Sequence, residues 1–117
     1  MSYMLLMIEH PTQRKSRTEE EGRELYARMV AFGEQLKSRG LLIATESLKS
    51  QADAARVEIR DKKAFVSDGP FAEAKEMVGG FFLVSCQTRA EAIELAKLCP
   101  AAEWLTVEVR EVAPCFV

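Results

Sequence analysis

Histidine is almost missing from this chain: of 117 residues, His10 is the only one. A metal centre built on imidazoles is therefore excluded, and an imidazole base would have to be His10 itself. The three cysteines, Cys86, Cys99 and Cys115, are an odd number with no C-x-x-C spacing. That excludes a disulfide framework or zinc site and implies free thiols in a reducing compartment, so the chain is expected to be cytoplasmic. Charge of one sign is lacking too. Lys and Arg number 16 against 18 Asp and Glu, a net charge of −2, which leaves no electrostatic footprint for a nucleic-acid backbone. No glycine-rich dinucleotide or phosphate loop is present, and no cofactor or metal is expected. Long apolar runs are missing as well. The opening "MSYMLLMIEH" is continuously apolar only from Met4 to Ile8, with no basic residue ahead of it, so neither a secretory signal nor a membrane span is expected.

What is there is ordinary globular composition, 48% apolar and 29% charged, enough for one core in a single domain over residues 1–117. Met4–Ile8 has the pattern of a strand buried on both faces. The connector carries a basic cluster, Arg14, Lys15 and Arg17, with Glu19 to Glu21 directly after it, and reads as a solvated approach to a helix. Thr18 with Glu21 forms a capping-box signal. Leu25, Met29, Phe32 and Leu36 then recur at helical spacing, with Tyr26, Val30 and Gly33 widening the face and Gly40 as the stop. A strand follows from Leu41. Val57 and Ile59, then Phe65 and its neighbours, alternate with charged residues about Asp61-Lys62 as a hairpin would. Gly80–Cys86 is another apolar strand. Thr88 with Glu91 opens a second helix that Pro100 ends, and Trp104–Arg110 alternates as a half-buried strand.

The order is strand, helix, strand, hairpin, strand, helix, strand. Two β-α-β units of this kind make an α+β, ferredoxin-like sandwich with an inserted hairpin. Its two most apolar strands are expected in the middle of the sheet and both helices on one face. The other face then needs a cover, and a second copy of the chain is the expected one, giving a homodimer.

The stretch "SDGPFAEAKEMVGGFF", residues 67–82, is where chemistry is sought. As structure, Asp68 starts a turn, Gly69 permits it, Pro70 opens a short helix over Ala72–Val78, Phe71 anchors it and Gly79-Gly80 releases a strand. As function, Asp68, Glu73, Lys75 and Glu76 bring four ionisable groups next to a helix start. Asp68 is then a candidate acid or base, with Lys75 as partner for an anion and Gly69, Pro70 and Phe71 as ligand contacts. Glu46 and Tyr3 are candidates for the same cleft. His10 is a second catalytic candidate if Glu9 or Asp68 orients it. Met29, like Met4, Met7 and Met77, is a core or cleft-lining residue. Cys86 and Cys99 read as buried fillers, since a helix C-terminus disfavours a thiolate at Cys99.

"DGPFAEAKEMVGGFFLV" resembles the signature of the DGPF-domain branch of the YCII-related family. "YMLLMI", "SRGLLIATESL", "CPAAEW" and "TVEVREV" match its pattern in order, so the likeness spans nearly the whole chain. The resemblance implies a dimeric α+β barrel and no settled activity. Some relatives in the wider family act as small-molecule lyases or dehalogenases, and some DGPF members occur beside or fused to sigma factors. It also implies a histidine on the first helix paired with an aspartate before a proline after the second. Those registers fall here on Met29 and Cys99. The expected function is a small organic ligand held in a cleft near the DGPF loop, with lyase- or isomerase-like acid–base chemistry. The alternative is a non-catalytic regulatory or binding module associated with a transcription factor.

Overall fold

The chain begins with β1 (Ser2–Glu9), in which Tyr3, Leu5, Met7 and Glu9 are buried while the residues between them are only half-buried. A computed structural model describes residues 1–117. After a 3₁₀ turn at Gln13–Ser16 come α1 (Glu19–Ser38) and β2 (Leu42–Ser47). A second 3₁₀ turn, Gln51–Asp53, precedes β3 (Ala55–Arg60) and β4 (Lys63–Asp68). The rest is β5 (Met77–Ser85), α2 (Arg89–Leu98), a 3₁₀ turn at Pro100–Glu103 and β6 (Thr106–Glu111).

The helices start and stop where side chains satisfy their free backbone groups. Thr18 accepts from Glu21 N–H at 3.1 Å while the Glu21 carboxylate accepts from Thr18 N–H at 3.0 Å, a complete capping box. At the far end Gly40 adopts φ +71°, which a residue with a Cβ rarely takes. Gly40 N–H and Leu41 N–H bond back to the Lys37 and Leu36 carbonyls as a Schellman motif. In α2 the reciprocal bond slips by one residue: Glu91 N–H donates to Thr88 Oγ1, but the Glu91 carboxylate takes Gln87 N–H.

Four strands form an antiparallel sheet in the order β2-β5-β1-β6, so the two most apolar strands occupy its centre. One face carries the core: Tyr3, Leu5, Met7, Phe82 and Val84 pack with Phe32 and Leu36 of α1 and Ala92, Leu95 and Ala96 of α2. Two helices on one face of such a sheet are compatible with a ferredoxin-like α+β fold. The other face presents Met4, Leu6, Ile8, Phe81 and Leu83, all half-buried. β3 and β4 pair only with each other, joined by Asp61 and Lys62 at φ +50° and +67°, the left-handed pair of a tight hairpin turn.

Three local expectations give way. Ala72–Val78 is not helical: residues 72–75 form an irregular turn and β5 already begins at Met77. So short a segment has no apolar stripe to dock and cannot offset the cost of nucleating a helix. Tyr26 and Val30 are exposed at 59% and 47%, because α1 meets the sheet along the narrower line of Phe32, Gly33 and Leu36. Tyr3 lies in the core, its hydroxyl 3.4 Å from a Glu111 carboxylate oxygen. Burial first and that carboxylate second push its phenol pKa up.

Candidate functional site

The pleat of β1 sets the first demand. Glu9 shares a face with Tyr3, Leu5 and Met7, so the strand carries a carboxylate into the interior, where it is 7% exposed. A buried carboxylate is stable only with a partner. The 3₁₀ turn at Gln13–Ser16 folds the connector back and supplies Arg14, whose Nε lies 2.7 Å from Glu9 Oε1 and whose Nη2 lies 3.5 Å from Oε2. The same guanidinium donates to the Leu48 carbonyl at 2.7 Å and the Gly79 carbonyl at 3.3 Å, so it ties β1, the end of β2 and the start of β5 together.

The double glycine is explained here. A Cβ at Gly79 would run into the Glu9 carboxylate and sit 2.8 Å from Arg14 Nη2. A Cβ at Gly80 would sit 2.8 Å from the Glu46 carbonyl of the neighbouring strand. Gly79 leaves room for the ion pair and Gly80 for the close approach of β2.

Above this pair, between α1 and the sheet, opens a cleft of about 790 Å³, within the roughly 300–1,000 Å³ usual for small-molecule sites. Met7, Leu25, Met29, Phe82, Trp104 and Leu105 make its apolar wall. Phe82 is braced edge-to-face by Phe32, with ring centroids 5.0 Å apart. Gln13 Nε2 donates to the Trp104 carbonyl, and Arg28 stands 5.3 Å over the indole ring while bonding Glu103 at 2.6 Å. At the rim Glu19 and Arg23 form an exposed i,i+4 pair at 2.7 Å. Arg17 also lines the cleft, half-buried, and its Nη2 is closed to solvent with no hydrogen-bond partner in the protein.

Of the residues singled out in the sequence, Met29 and Glu46 line this cleft. Glu46 does so from β2, where its partner across the ladder is Phe81, so the pleat directs its side chain to the sheet's other face. Asp68, Gly69, Pro70, Phe71 and Lys75 line none of it. Asp68 ends β4, exposed, opposite Ala55. Gly69 N–H donates to the Ala54 carbonyl at 2.7 Å, and a Cβ there would collide with the Gln51 carbonyl. The Arg56 guanidinium covers the Phe71 ring at 3.7 Å, and Lys75 is exposed. The quartet thus closes the base of the β3–β4 hairpin against the turn at Gln51–Asp53. His10 is exposed beyond the end of β1, and its Nδ1 accepts from Thr12 N–H at 3.2 Å with Thr12 Oγ1 at 2.8 Å.

The residues that sequence reasoning missed are Glu9, Arg14 and Arg17. The basic cluster is not a solvated helix approach: two of its three members turn into the cleft. The available signal was Glu9 itself, an acidic residue in phase with Tyr3, Leu5 and Met7, which requires a cation close by.

Comparison with known proteins gives the chain its place. A profile of the YCII-related domain matches residues 1–115. The chain belongs to the YCII-related family. It is also similar to an uncharacterized protein of Rhizobium meliloti (strain 1021), 28% identical over 97 residues that cover 83% of this chain and 78% of that protein. Within the YCII-related fold, the two positions onto which the resemblance carries a histidine and an aspartate do meet. Cys99 Sγ lies 4.0 Å from Met29 Sδ and equally 4.0 Å from Met7 Sδ. What meets is a thiol and two thioethers. Burial pushes the Cys99 pKa up, with the Ala101 and Ala102 amides pulling the other way, so the thiol keeps its proton. A thioether neither gives nor takes a proton at ordinary pH.

Proposed function

We propose that this YCII-related protein, on its quartet a DGPF-branch member, is a homodimeric, cytoplasmic small-molecule-binding protein whose ligand occupies the cleft between α1 and the sheet. The observation that carries this is the cleft itself: an apolar wall above a buried ion pair, with volume suited to a small organic molecule. Binding without turnover is the favoured form. The Met29–Cys99 pair offers only a thiol that burial keeps protonated, both Glu9 oxygens face Arg14, and the Asp68 carboxyl lies outside the cleft. Lyase- or isomerase-like chemistry at Asp68 therefore gains no support from the geometry.

Dimerisation is supported by two apolar surfaces, one partly and one largely exposed. One is the sheet face of Met4, Leu6, Ile8, Phe81 and Leu83. The other is one side of the hairpin, where Val57, Ile59 and Val66 are exposed at 64%, 66% and 65%. An identical chain supplies the same surfaces in return and covers both at once.

Two measurements test the proposal. Sedimentation should give a dimer for wild type and a monomer for Leu6→Glu; a monomeric wild type would overturn the dimer. Gly22 lines the cleft from α1, with nothing within 4 Å of a built Cβ. Gly22→Leu should keep the fold and abolish the thermal stabilisation that cleft ligands give wild type. Ligands that stabilise both proteins equally would sink the cleft assignment.

A further inference from the structure

We infer that the ligand of this cleft is an organic carboxylate with an apolar body, and that Arg17 is the residue that holds its head group. The inference rests on the binding role proposed for the cleft and adds the chemical class of what is bound.

Three cations line the cleft, and two are already neutralised. Arg14 is joined to Glu9, with two further N–H groups on the Leu48 and Gly79 carbonyls. Arg23 is joined to Glu19 at the exposed rim. Arg17 differs: its Nη2 is removed from solvent and bonded to nothing, and no carboxylate lies within ion-pair distance. Glu21 feels the charge of Arg17, but its carboxylate already accepts from Thr18 N–H; the Thr18 backbone and side chain first, and the charge of Arg17 to a smaller extent, lower its pKa. Glu46 reaches the cleft from β2, but the ladder turns its side chain to the opposite face of the sheet.

A buried guanidinium nitrogen without an acceptor is costly, and native proteins seldom keep one without a reason. The fork of an Arg matches a carboxylate or phosphate in plane, and a desolvated setting strengthens that match. The remaining wall decides between the two. Met7, Leu25, Met29, Phe82 and Trp104 demand an apolar body. With Arg14 and Arg23 committed, one free guanidinium suits a single negative charge better than a doubly charged phosphate.

The test uses matched pairs that differ only in the head group: 4-phenylbutyrate, indole-3-acetate and octanoate, each beside its primary amide, with phenyl phosphate as the other anion. Calorimetric titration is run on wild type, Arg17→Gln and Gly22→Leu. Wild type should prefer at least one acid over its amide by roughly tenfold to a hundredfold, the range for a hydrogen bond to a charged group. Arg17→Gln should erase that preference while still binding the amide, and should melt close to wild type, since the half-buried Arg17 forms no ion pair within the protein and its Nη2 no hydrogen bond. Gly22→Leu should bind neither. Acid and amide bound equally by wild type, yet lost in Gly22→Leu, would overturn the role of Arg17 and leave the cleft as a binding site. Phenyl phosphate binding more tightly than every acid would overturn the carboxylate. An Arg17→Gln protein that melts well below wild type and binds nothing would make Arg17 a structural residue. No binding by any compound would remove both the cleft reading and this inference.

Discussion

Two stretches of the chain invite comparison, residues 67–76 with the DGPF quartet and residues 9–18 with the sequence "EHPTQRKSRT". The DGPF stretch is conspicuous in the sequence and lines no part of the cleft: Gly69 passes under the Gln51 carbonyl, Phe71 lies beneath Arg56, and the ionisable side chains are exposed. Residues 9–18 have the composition of a charged connector, yet Glu9, Arg14 and Arg17 form the polar end of the large cleft. Rare backbone demands leave glycine and proline in fixed places and so catch the eye. A binding site made of common residues becomes visible only once a turn folds one charge onto another.

The sharpest way to break the comparison is Arg14→Ala. It strands the Glu9 carboxylate and removes the tie between β1, β2 and β5. Because Arg14 is 31% exposed, the loss should fall at the lower end for a buried pair, roughly 3 kcal/mol in urea unfolding. A change under about 1 kcal/mol, the worth of an exposed pair, would make this a surface contact. Next come two changes in the quartet. Gly69→Ala forces a methyl group against the Gln51 carbonyl and should cost about 1–3 kcal/mol. Asp68→Asn, at an exposed strand end, should stay within about 0.5 kcal/mol. Should Asp68→Asn prove the more damaging of the two, the quartet is no simple clasp.

Gly22→Ala has the opposite sign. A helix-interior glycine with open space above it should gain about 0.5–1 kcal/mol on acquiring a methyl group, read as a raised melting temperature. The smallest effect is alkaline. Burial raises the Cys86 and Cys99 pKa above the ordinary 9.0, so the folded chain holds these protons more tightly than the unfolded one. Their contribution to stability is complete below the ordinary thiol pKa and is lost as pH climbs from there through the raised folded values. Cys99→Ala should flatten the decline in stability above pH 9, and exposed Cys115 should be alkylated well before either buried thiol.

Much of the fold was legible because its signals are local. Thr18 with Glu21 marks the start of α1, Gly40 marks its end, and the apolar runs around Leu5 and Phe82 place their strands at the centre of the sheet. The breadth of the α1 contact was not legible, since whether Tyr26 is covered depends on how the helix lies against the sheet. The turn at residues 72–75 escaped sequence reasoning because charged, helix-prone residues fold as a helix only where a surface waits to receive them. Of the cleft, Met29 and the backbone of Glu46 were within reach of sequence reasoning. Arg14 and Arg17 were not, because a run of basic residues has the same composition whether it faces water or a buried carboxylate.

The thioethers of Met7 and Met29, with the Cys99 thiol packed against both sulfurs, give the cleft walls of unequal hardness. Phe82, held by Phe32, is fixed in place, and Arg14 is pinned to two carbonyls and a carboxylate. Thioethers turn about three side-chain bonds and are easily polarised, so the wall they build yields to the shape pressed against it. Such a cavity is exacting about where a guest places its charge and lenient about the outline of its hydrocarbon.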